Sequence, residues 1–381
     1  MDPYVTEWLD LLLRWLHVVA GIVWIGTSFY FVALDSHLRP AESEPEPADE
    51  VWEIHGGGFY RVVKLRGVPE ELPKPLYWFK WEAYTTWLSG FALFVVLYYA
   101  RAGTALVDRD VADLSKTTAV LFSVLLLVAA WLVYDAACRL LRGRELVLAI
   151  IVVALVTAAS YGVAQLYAPR AAYLQVGAML GTIMAANVLF VIIPAHWQLI
   201  RAKEAGREPD PLHGVRGKQR SVHNNYLTLP VVFTMIAGHF PQTYGHPHAW
   251  AVLVALMAVG AWIRVFFNLR HAGRTLWEIP LTAALAIAAI AVWIRPEATA
   301  APARAVPFAE ARQIVDRRCS SCHSGPGAPA GLELDHDAVL RERADDVARQ
   351  VTTKAMPPGN ATGMTQDERD RLAAWAVRSR P

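Results

Sequence analysis

The 381-residue chain contains little charge for its length. Asp, Glu, Lys and Arg make up only 18% of the residues, whereas 55% are hydrophobic and the mean hydropathy is positive. Soluble globular domains usually contain about 25% charged residues. This composition excludes an ordinary soluble protein and indicates a chain that lies in a lipid bilayer. The net charge of +2 also excludes a strongly basic surface, so no nucleic-acid partner is expected.

Cysteine is scarce as well, since the chain has only three, and a disulfide framework is excluded. Cys319 and Cys322 are three residues apart, and His323 follows directly. In this Cys-x-x-Cys-His pattern the thiols bond to a porphyrin and the histidine binds its iron, which predicts a covalent c-type haem. A zinc site would need a second pair of ligands, and none follows at suitable spacing. A redox-active Cys-x-x-Cys would follow a strand, whereas residues 307–318 have the pattern of an amphipathic helix.

Long hydrophobic runs, in contrast, are abundant. A bilayer core of ~30 Å needs about 20 mostly apolar helical residues, and eight stretches reach roughly that length. We therefore predict an all-α fold, a polytopic membrane bundle of about eight spans. The chain start lacks the basic residues of a signal peptide, so no cleavable signal is expected. The eight stretches lie near residues 8–34, 81–100, 116–138, 146–167, 173–200, 225–240, 248–268 and 277–294.

Lys and Arg are distributed unevenly among the loops between these stretches. Eighteen lie in the loops that follow the first, third, fifth and seventh stretches, of which the first is 35–80. Arg264 is counted in the last of these four loops. The other loops contain only four. Because cytoplasmic loops are enriched in Lys and Arg, loops 35–80 and 201–224 are predicted to be cytoplasmic. Both chain termini are then periplasmic, and the predicted location is the inner membrane of a bacterium.

The character of the chain changes after Trp293, where a stretch rich in Pro and Ala begins. We predict a transmembrane domain at residues 1–296, a linker at 297–307 and a soluble domain at 308–381. A domain of about 75 residues is small for an independent hydrophobic core, and a bound haem would complete it.

The soluble domain is predicted to contain three helices, a pattern that resembles class I cytochrome c. Met356 begins a Met-Pro-Pro turn and is the predicted second iron ligand, because a thioether opposite histidine raises the reduction potential of the haem. Met364 is the alternative ligand, although its position just before a helix N-cap favours a packing role. The helices are predicted at 307–318, at 337–354 and after a capping box formed by Thr365 and Glu368.

Ionisable residues inside membrane spans are costly, so they are candidates for function. His17 lies well inside the first span, where it either binds a ligand or bonds to a neighbouring helix. Asn224 and Asn225 follow His223 at the predicted start of the sixth span, where they either contribute to a site or cap the helix. By the predicted topology the cytoplasmic end also contains His55, the glycines at 56–58, residues 78–82, His196, Asn268 and His271.

These motifs resemble one known family, the membrane-bound urate oxidases (urate hydroxylases) with a fused C-terminal cytochrome c. The resemblance covers nearly the whole chain and is carried by residues 14–26, 55–60, 78–84 and 217–230 and by the haem domain. It implies oxidation of urate to 5-hydroxyisourate in purine catabolism. It also implies that the electrons leave through the haem instead of reducing oxygen to hydrogen peroxide.

The residue types permit this chemistry. Urate is a planar purine anion near pH 7, so its site needs cationic or amide donors, an aromatic wall and a base for its N–H protons. Lys80 and Trp81 supply a donor and a wall. The catalytic candidates are His17, His55, Glu82, His223, Asn224 and Asn225.

Two electrons leave urate, whereas one haem holds one electron at a time. Either a radical intermediate or a second carrier is implied, and a b-type haem bound by His17 and another histidine such as His239 is an open alternative. The expected downstream acceptor is a soluble cytochrome or a terminal oxidase. Two other functions are open: a non-catalytic conduit from quinol to the haem, and a haem or metal transporter. The polar residues at the cytoplasmic end favour the enzyme, because a conduit does not need them.

Overall fold

The structure is a computed structural model, and it describes residues 3–42, 48–66, 68–69, 71–295 and 306–378. Helices dominate, which confirms the all-α prediction. The predicted linker at 297–307 lies outside the described residues except for its last two positions. The helices before the linker are α1 (Pro3–His37), α2 (Trp81–Phe94), α3 (Lys116–Leu140), α4 (Glu145–Ala164), α5 (Pro169–Asn187), α6 (Ile193–Glu204), α7 (Pro211–Ala237), α8 (Pro241–Tyr244), α9 (Ala249–His271) and α10 (Glu278–Trp293).

Five helical stretches in the described part of the chain are long and apolar enough to cross a membrane. They are α1, α3, α4, α9 and the pair α5–α6, which is continuous through the π-helical segment Val188–Ile192. Helix α10 is apolar but shorter. Helices α2 and α7 occupy the positions of the second and sixth predicted spans. The total of eight spans remains a prediction.

Helix α7 corrects two expectations from the sequence. It begins at Pro211, so Asn224 and Asn225 lie in the middle of the helix and the capping interpretation is wrong. Pro230 also lies inside the helix, and most of the predicted loop 201–224 is helical. Hydropathy did not reveal residues 211–224 as helix because they are polar, although Arg, Lys and Gln are good helix formers.

A small antiparallel sheet, which the sequence did not predict, lies between α1 and α2. It contains β1 (Arg39–Pro40), β2 (Ala48–His55) and β3 (Gly58–Leu65) in the order β1-β2-β3. His55 pairs with Gly58 across a two-residue turn. Gly56 and Gly57 form that turn with φ of 57° and 80°, a conformation that favours glycine and explains the glycine run.

The chain divides into two compact units, and this division does not coincide with the predicted domains. Unit 1 comprises residues 1–94, 178–232 and 257–286. Unit 2 comprises residues 95–177, 233–256 and 287–381, so it includes the C-terminal segment. The predicted domain boundary near residue 297 remains a prediction.

The C-terminal segment contains α11 (Phe308–Arg318), α12 (Asp337–Glu342), α13 (Ala344–Thr352) and α14 (Gln366–Arg378). The predicted helix at 337–354 is therefore two helices that meet at Arg343. Before α14, the Glu368 amide donates to Oγ1 of Thr365 at 3.2 Å, and the Thr365 amide donates to Oε2 of Glu368 at 2.9 Å. These two bonds confirm the capping box. The core of the segment includes Ile314, Leu340, Val347, Leu372 and Trp375.

Candidate functional site

Three polar side chains from α7 and α9 of unit 1 meet at one buried oxygen. Oδ1 of Asn225 accepts a hydrogen bond of 2.8 Å from Nε of Arg264 and one of 3.0 Å from Nδ2 of Asn268. Asn225 and Arg264 are only 1% and 3% exposed. Because both donors point to the same oxygen, the orientation of the Asn225 amide group is defined.

Each of these three side chains retains a polar atom without a hydrogen-bond partner among the residues that the structure describes. The three atoms are Nδ2 of Asn225, Nη2 of Arg264 and Oδ1 of Asn268. Phe29 of α1 covers the guanidinium group, whose carbon lies 3.7 Å from the ring centroid. Buried polar atoms are normally hydrogen-bonded, so two donors and one acceptor are available to a bound molecule. We call Phe29, Asn225, Arg264 and Asn268 the open cluster.

Asn224 connects α7 to a different neighbour. Its Oδ1 accepts a bond of 3.0 Å from Nδ2 of Asn187, and its Nδ2 donates to the Met184 carbonyl oxygen at 3.0 Å. Asn187 is fully buried and precedes the π-helical segment Val188–Ile192. Segments of π-helix inside longer helices often occur at functional sites. The two adjacent asparagines therefore join α7 to α5 on one side and to α9 on the other.

His17 is bonded to a neighbouring helix, as its structural interpretation requires. Nδ1 of His17 lies 2.9 Å from the Thr86 carbonyl oxygen and 3.3 Å from Oγ of Ser89. A Cβ atom at Gly90 would lie 2.6 Å from Cε1 of His17, so the contact between α1 and α2 depends on glycine. A backbone bond to Nδ1 also orients the ring for ligation through Nε2. His239 follows α7 in unit 2 and is exposed.

Glu82 lies in the first turn of α2, one turn before Thr86. Its Oε2 atom is buried and has no hydrogen-bond partner within the described residues. A carboxylate oxygen that is not used by the fold can accept a proton from a bound molecule.

Aromatic side chains surround the start of α2. Trp78 stacks on Trp197 with a centroid distance of 4.8 Å and an interplanar angle of 24°. The His196 ring lies 6.2 Å from the Trp78 ring. Nζ of Lys80 lies 5.3 Å from the Trp78 centroid and 5.8 Å from the Trp81 centroid. The structure thus brings residues 78–81 together with His196 in an aromatic wall that carries a cation.

The remaining two predicted site residues have different surroundings. His55 ends β2 at the exposed tip of the hairpin, and it makes no hydrogen bond to the open cluster in the described structure. His223 is half-buried on α7, directly before Asn224. The structure therefore places His223 beside the buried asparagines and leaves His55 at the surface.

Sequence reasoning missed Arg264, which it assigned to a cytoplasmic loop. The structure places Arg264 inside α9, buried about two turns before the helix ends at His271, and not in a loop. The signal was present, since Arg264 is flanked by Trp262, Ile263, Val265 and Phe266. A single charge within such an apolar run indicates a buried ionisable group.

The predicted haem-binding residues lie in unit 2, after α11. Cys319 and Cys322 are free thiols, Cys319 half-buried against the core and Cys322 exposed. Nδ1 of His323 lies 3.1 Å from the Leu332 carbonyl oxygen, which leaves Nε2 to bind iron. This donor set of two thiols and one oriented imidazole fits a c-type haem.

The two candidate sulfur ligands differ in burial. Met364 is 2% exposed and packs in the core with Leu372 and Trp375, as its packing interpretation requires. Met356 is 37% exposed, so its thioether is not taken up by the core.

The turn that begins at Met356 is held by one buried arginine. Nη1 of Arg369 donates to the carbonyl oxygens of Met356 at 2.6 Å and Val351 at 3.0 Å, and Nη2 donates to Oδ1 of Asn360 at 3.2 Å. Arg369 is 2% exposed. Oδ1 of Asn360 also accepts a bond of 2.8 Å from the Met364 amide.

Within unit 2 this turn lies directly against the segment between α2 and α3. Nδ2 of Asn360 donates to Oδ2 of Asp110 at 2.7 Å. A Cβ atom at Gly359, where φ is 54°, would lie 2.5 Å from the Val107 carbonyl oxygen and 2.7 Å from that of Thr104. Burial raises the pKa of the adjacent Asp108 carboxyl group. The predicted ligand turn is therefore fixed from both sides.

The chain matches two family profiles. The profile described as "Urate oxidase N-terminal" matches residues 3–295, and the profile described as "Cytochrome C oxidase, cbb3-type, subunit III" matches residues 307–375. The second match supports a c-type haem in the C-terminal segment. No curated protein and no solved structure matches the chain significantly. Because the first profile covers well over half of the chain, the protein belongs to the urate oxidase N-terminal family, here joined to a cytochrome c domain.

Proposed function

We propose that the protein oxidises urate to 5-hydroxyisourate, with water as the source of the added oxygen, as a step in purine catabolism. The urate monoanion and one water give neutral 5-hydroxyisourate, one proton and two electrons. The electrons leave through the c-type haem and pass to an external acceptor, a soluble cytochrome or a terminal oxidase.

The observation that carries this proposal is the open cluster. A helix bundle that only conducts electrons has no need for buried donors and acceptors without partners. Urate presents ring N–H groups and carbonyl oxygens along its edge, so it can use Nδ2 of Asn225, Nη2 of Arg264 and Oδ1 of Asn268. A site that hydrogen-bonds its substrate in this way rejects molecules that leave its polar groups unpaired.

The proposed catalytic set is the one predicted from the sequence, with roles that follow from position. His223, half-buried beside the asparagines, and Glu82, with its unused buried oxygen, are the proposed proton acceptors. Asn224 and Asn225 position α7 against α5 and α9. His17 holds α1 against α2 and remains a proposed ligand, while His55 is a proposed donor at the hairpin tip.

A haem attached to Cys319 and Cys322, with His323 and Met356 as axial ligands, would supply one-electron transfer at a raised potential. Leu332 orients the imidazole, and Arg369 with Asn360 holds the turn that presents the thioether. A b-type haem in the bundle remains an alternative second carrier.

We also propose that the protein lies in a bacterial inner membrane with the cytochrome segment on the periplasmic side. The segment contacts the Thr104–Asp110 region and Gly245, where a Cβ atom would lie 2.5 Å from the Thr353 carbonyl oxygen. The basic-residue distribution assigns both of these regions to the periplasmic side. A C-terminal reporter fusion should be active only in the periplasm.

The test of the proposed function is reduction of the haem by urate without oxygen. In the purified full-length protein, His223→Ala should lose reduction by urate and keep reduction by dithionite, because the haem segment is untouched. His213→Ala, the other histidine on α7, is the matched control and should behave as the wild type.

Three results would count against parts of this proposal, and the third against the function itself. Loss of both reductions in His223→Ala would indicate misfolding and remove the support for a catalytic role. Retention of both would exclude His223 as the base. A wild-type haem that is reduced by a quinol and not by urate would establish the conduit from quinol to the haem instead.

A further inference from the structure

Arg264 is a buried cation to which the described chain offers no opposite charge. Its contacts include the Asn225 amide oxygen and the Phe29 ring, and both are uncharged. No carboxylate within the described residues forms an ion pair with it. A buried charge without a counter-charge is strongly destabilising, particularly inside a predicted membrane span. A bound anion would supply the missing charge.

The surroundings of Arg264 define what kind of anion fits. Nη2 of Arg264 and Nδ2 of Asn225 are open donors, and Oδ1 of Asn268 is an open acceptor. A fully deprotonated oxyanion such as sulfate has only acceptor atoms, so it would leave Oδ1 of Asn268 without a donor. A planar heterocyclic anion offers both acceptor atoms and N–H donors along one edge, so it can use all three positions.

Phe29 adds a geometric restriction. Its ring covers one face of the guanidinium group at 3.7 Å, so that face is not available to a ligand. The open donor Nη2 lies on the guanidinium edge, so the ligand is expected to approach in that plane, where hydrogen bonds to a planar anion form.

We propose that Arg264 supplies the counter-charge for an anionic planar substrate and selects it over neutral purines, with Asn225 donating to it and Asn268 accepting from it. The inference rests on the proposed function, in which that substrate is the urate monoanion. Arg264 then recognises the charge of the substrate, and the Asn225 and Asn268 amides recognise the donors and acceptors along the edge of the substrate.

The experiment measures binding without turnover. The full-length protein, with its haem reduced beforehand, is titrated with urate and with hypoxanthine, a neutral purine, in an isothermal calorimeter. Loss of a charge-assisted hydrogen bond should weaken urate binding in Arg264→Gln on the order of ten- to a hundred-fold. The preference of the wild type for urate over hypoxanthine should disappear. Arg270→Gln, an exposed arginine on the same helix, should bind as the wild type.

Folding is verified from the haem spectrum and from size-exclusion chromatography. If Arg264→Gln does not fold, Arg264→Met, which also removes the charge, is judged by the same ratio. Unchanged urate binding in the variant overturns the inference. An equal loss for urate and hypoxanthine also overturns it, because that result indicates a structural role.

Failure of the proposed function gives a different result. A wild type that binds urate in an Arg264-dependent manner but transfers no electrons to the haem would contradict the proposed function and leave this inference intact. A wild type that does not bind urate contradicts both.

Discussion

Arg264 in unit 1 and Arg369 in unit 2 are almost equally buried, at 3% and 2% exposed, but their surroundings differ. Arg369 donates to two carbonyl oxygens and to the Asn360 amide oxygen, which is how the fold holds the Met356 turn. Arg264 shares one amide oxygen with Asn268 and keeps Nη2 unused. A buried arginine with a complete set of partners serves the fold, whereas one with an incomplete set indicates a binding site.

Replacing each arginine by methionine gives the strongest contrast between the two regions. Arg369→Met should cost about 3 kcal/mol, because the carbonyl oxygens of Met356 and Val351 lose their donor in a buried place. Arg264→Met should change stability by less than about 1 kcal/mol or increase it, since an apolar residue replaces an unpaired charge. Thermal unfolding followed by haem absorbance and by helical circular dichroism measures both. Equal losses of stability in the two variants would contradict the distinction between a structural Arg369 and a ligand-binding Arg264.

Asn360→Ala tests how much the hydrogen bonds of Asn360 stabilise the turn that begins at Met356. The side chain bonds to Asp110, to the Met364 backbone and to Arg369, so its loss should cost about 2 kcal/mol. Asp110→Ala removes only one of these bonds and should cost about 1 kcal/mol. The haem absorbance on heating reports both changes, with exposed Gln366→Ala as the control. A larger loss for Asp110→Ala would mean that the contact with Asp110 holds the turn more strongly than the bonds within the C-terminal segment do.

A smaller effect is expected from Asp108, which is 5% exposed. Burial is the largest influence on its pKa and raises it above the ordinary value of 3.8, while the charges of Arg369 and Lys354 oppose the shift. The fold therefore favours the protonated form. Its contribution to stability is complete below pH 3.8 and is lost as the pH rises through the raised pKa.

Asp108→Asn should remove that loss and stabilise the protein at neutral pH by under about 1 kcal/mol. The variant retains a side-chain oxygen for the Asp110 amide, which donates to Oδ1 of Asp108 at 3.0 Å. Unfolding curves at several pH values provide the measurement. A variant that is less stable than the wild type at pH 7 would show that the ionised carboxylate is needed.

The sequence was most informative where a local pattern determines local structure. The Cys319-x-x-Cys322-His323 spacing, the Thr365–Glu368 capping box and the apolar stretches each depend on neighbours within a few residues. The sheet at residues 39–65 was missed because this stretch lies in the loop 35–80 between two predicted spans. Its pattern was nevertheless visible, since Trp52 and Ile54 alternate with Glu53 and the Gly56–Gly57 pair marks the turn.

The open cluster was only partly predictable, because it depends on contacts between helices. Asn225 stood out as one of two adjacent amides in a span, but nothing local to it indicates Arg264, which is 39 residues away along the chain. Hydropathy placed the start of α7 too late, at residue 225 instead of Pro211, and so moved the asparagines to a helix end. Long-range packing of α1, α7 and α9 determines which polar atoms are left open.

The most direct test of the account is an anaerobic titration of the oxidised full-length protein with urate, followed at the haem absorption bands. Each urate releases two electrons, so half an equivalent of urate per chain should reduce the single c-type haem completely. Complete reduction only at one full equivalent would reveal a second one-electron carrier, such as a b-type haem at His17. A haem that stays oxidised at every urate concentration, and is reduced by dithionite, would contradict the account.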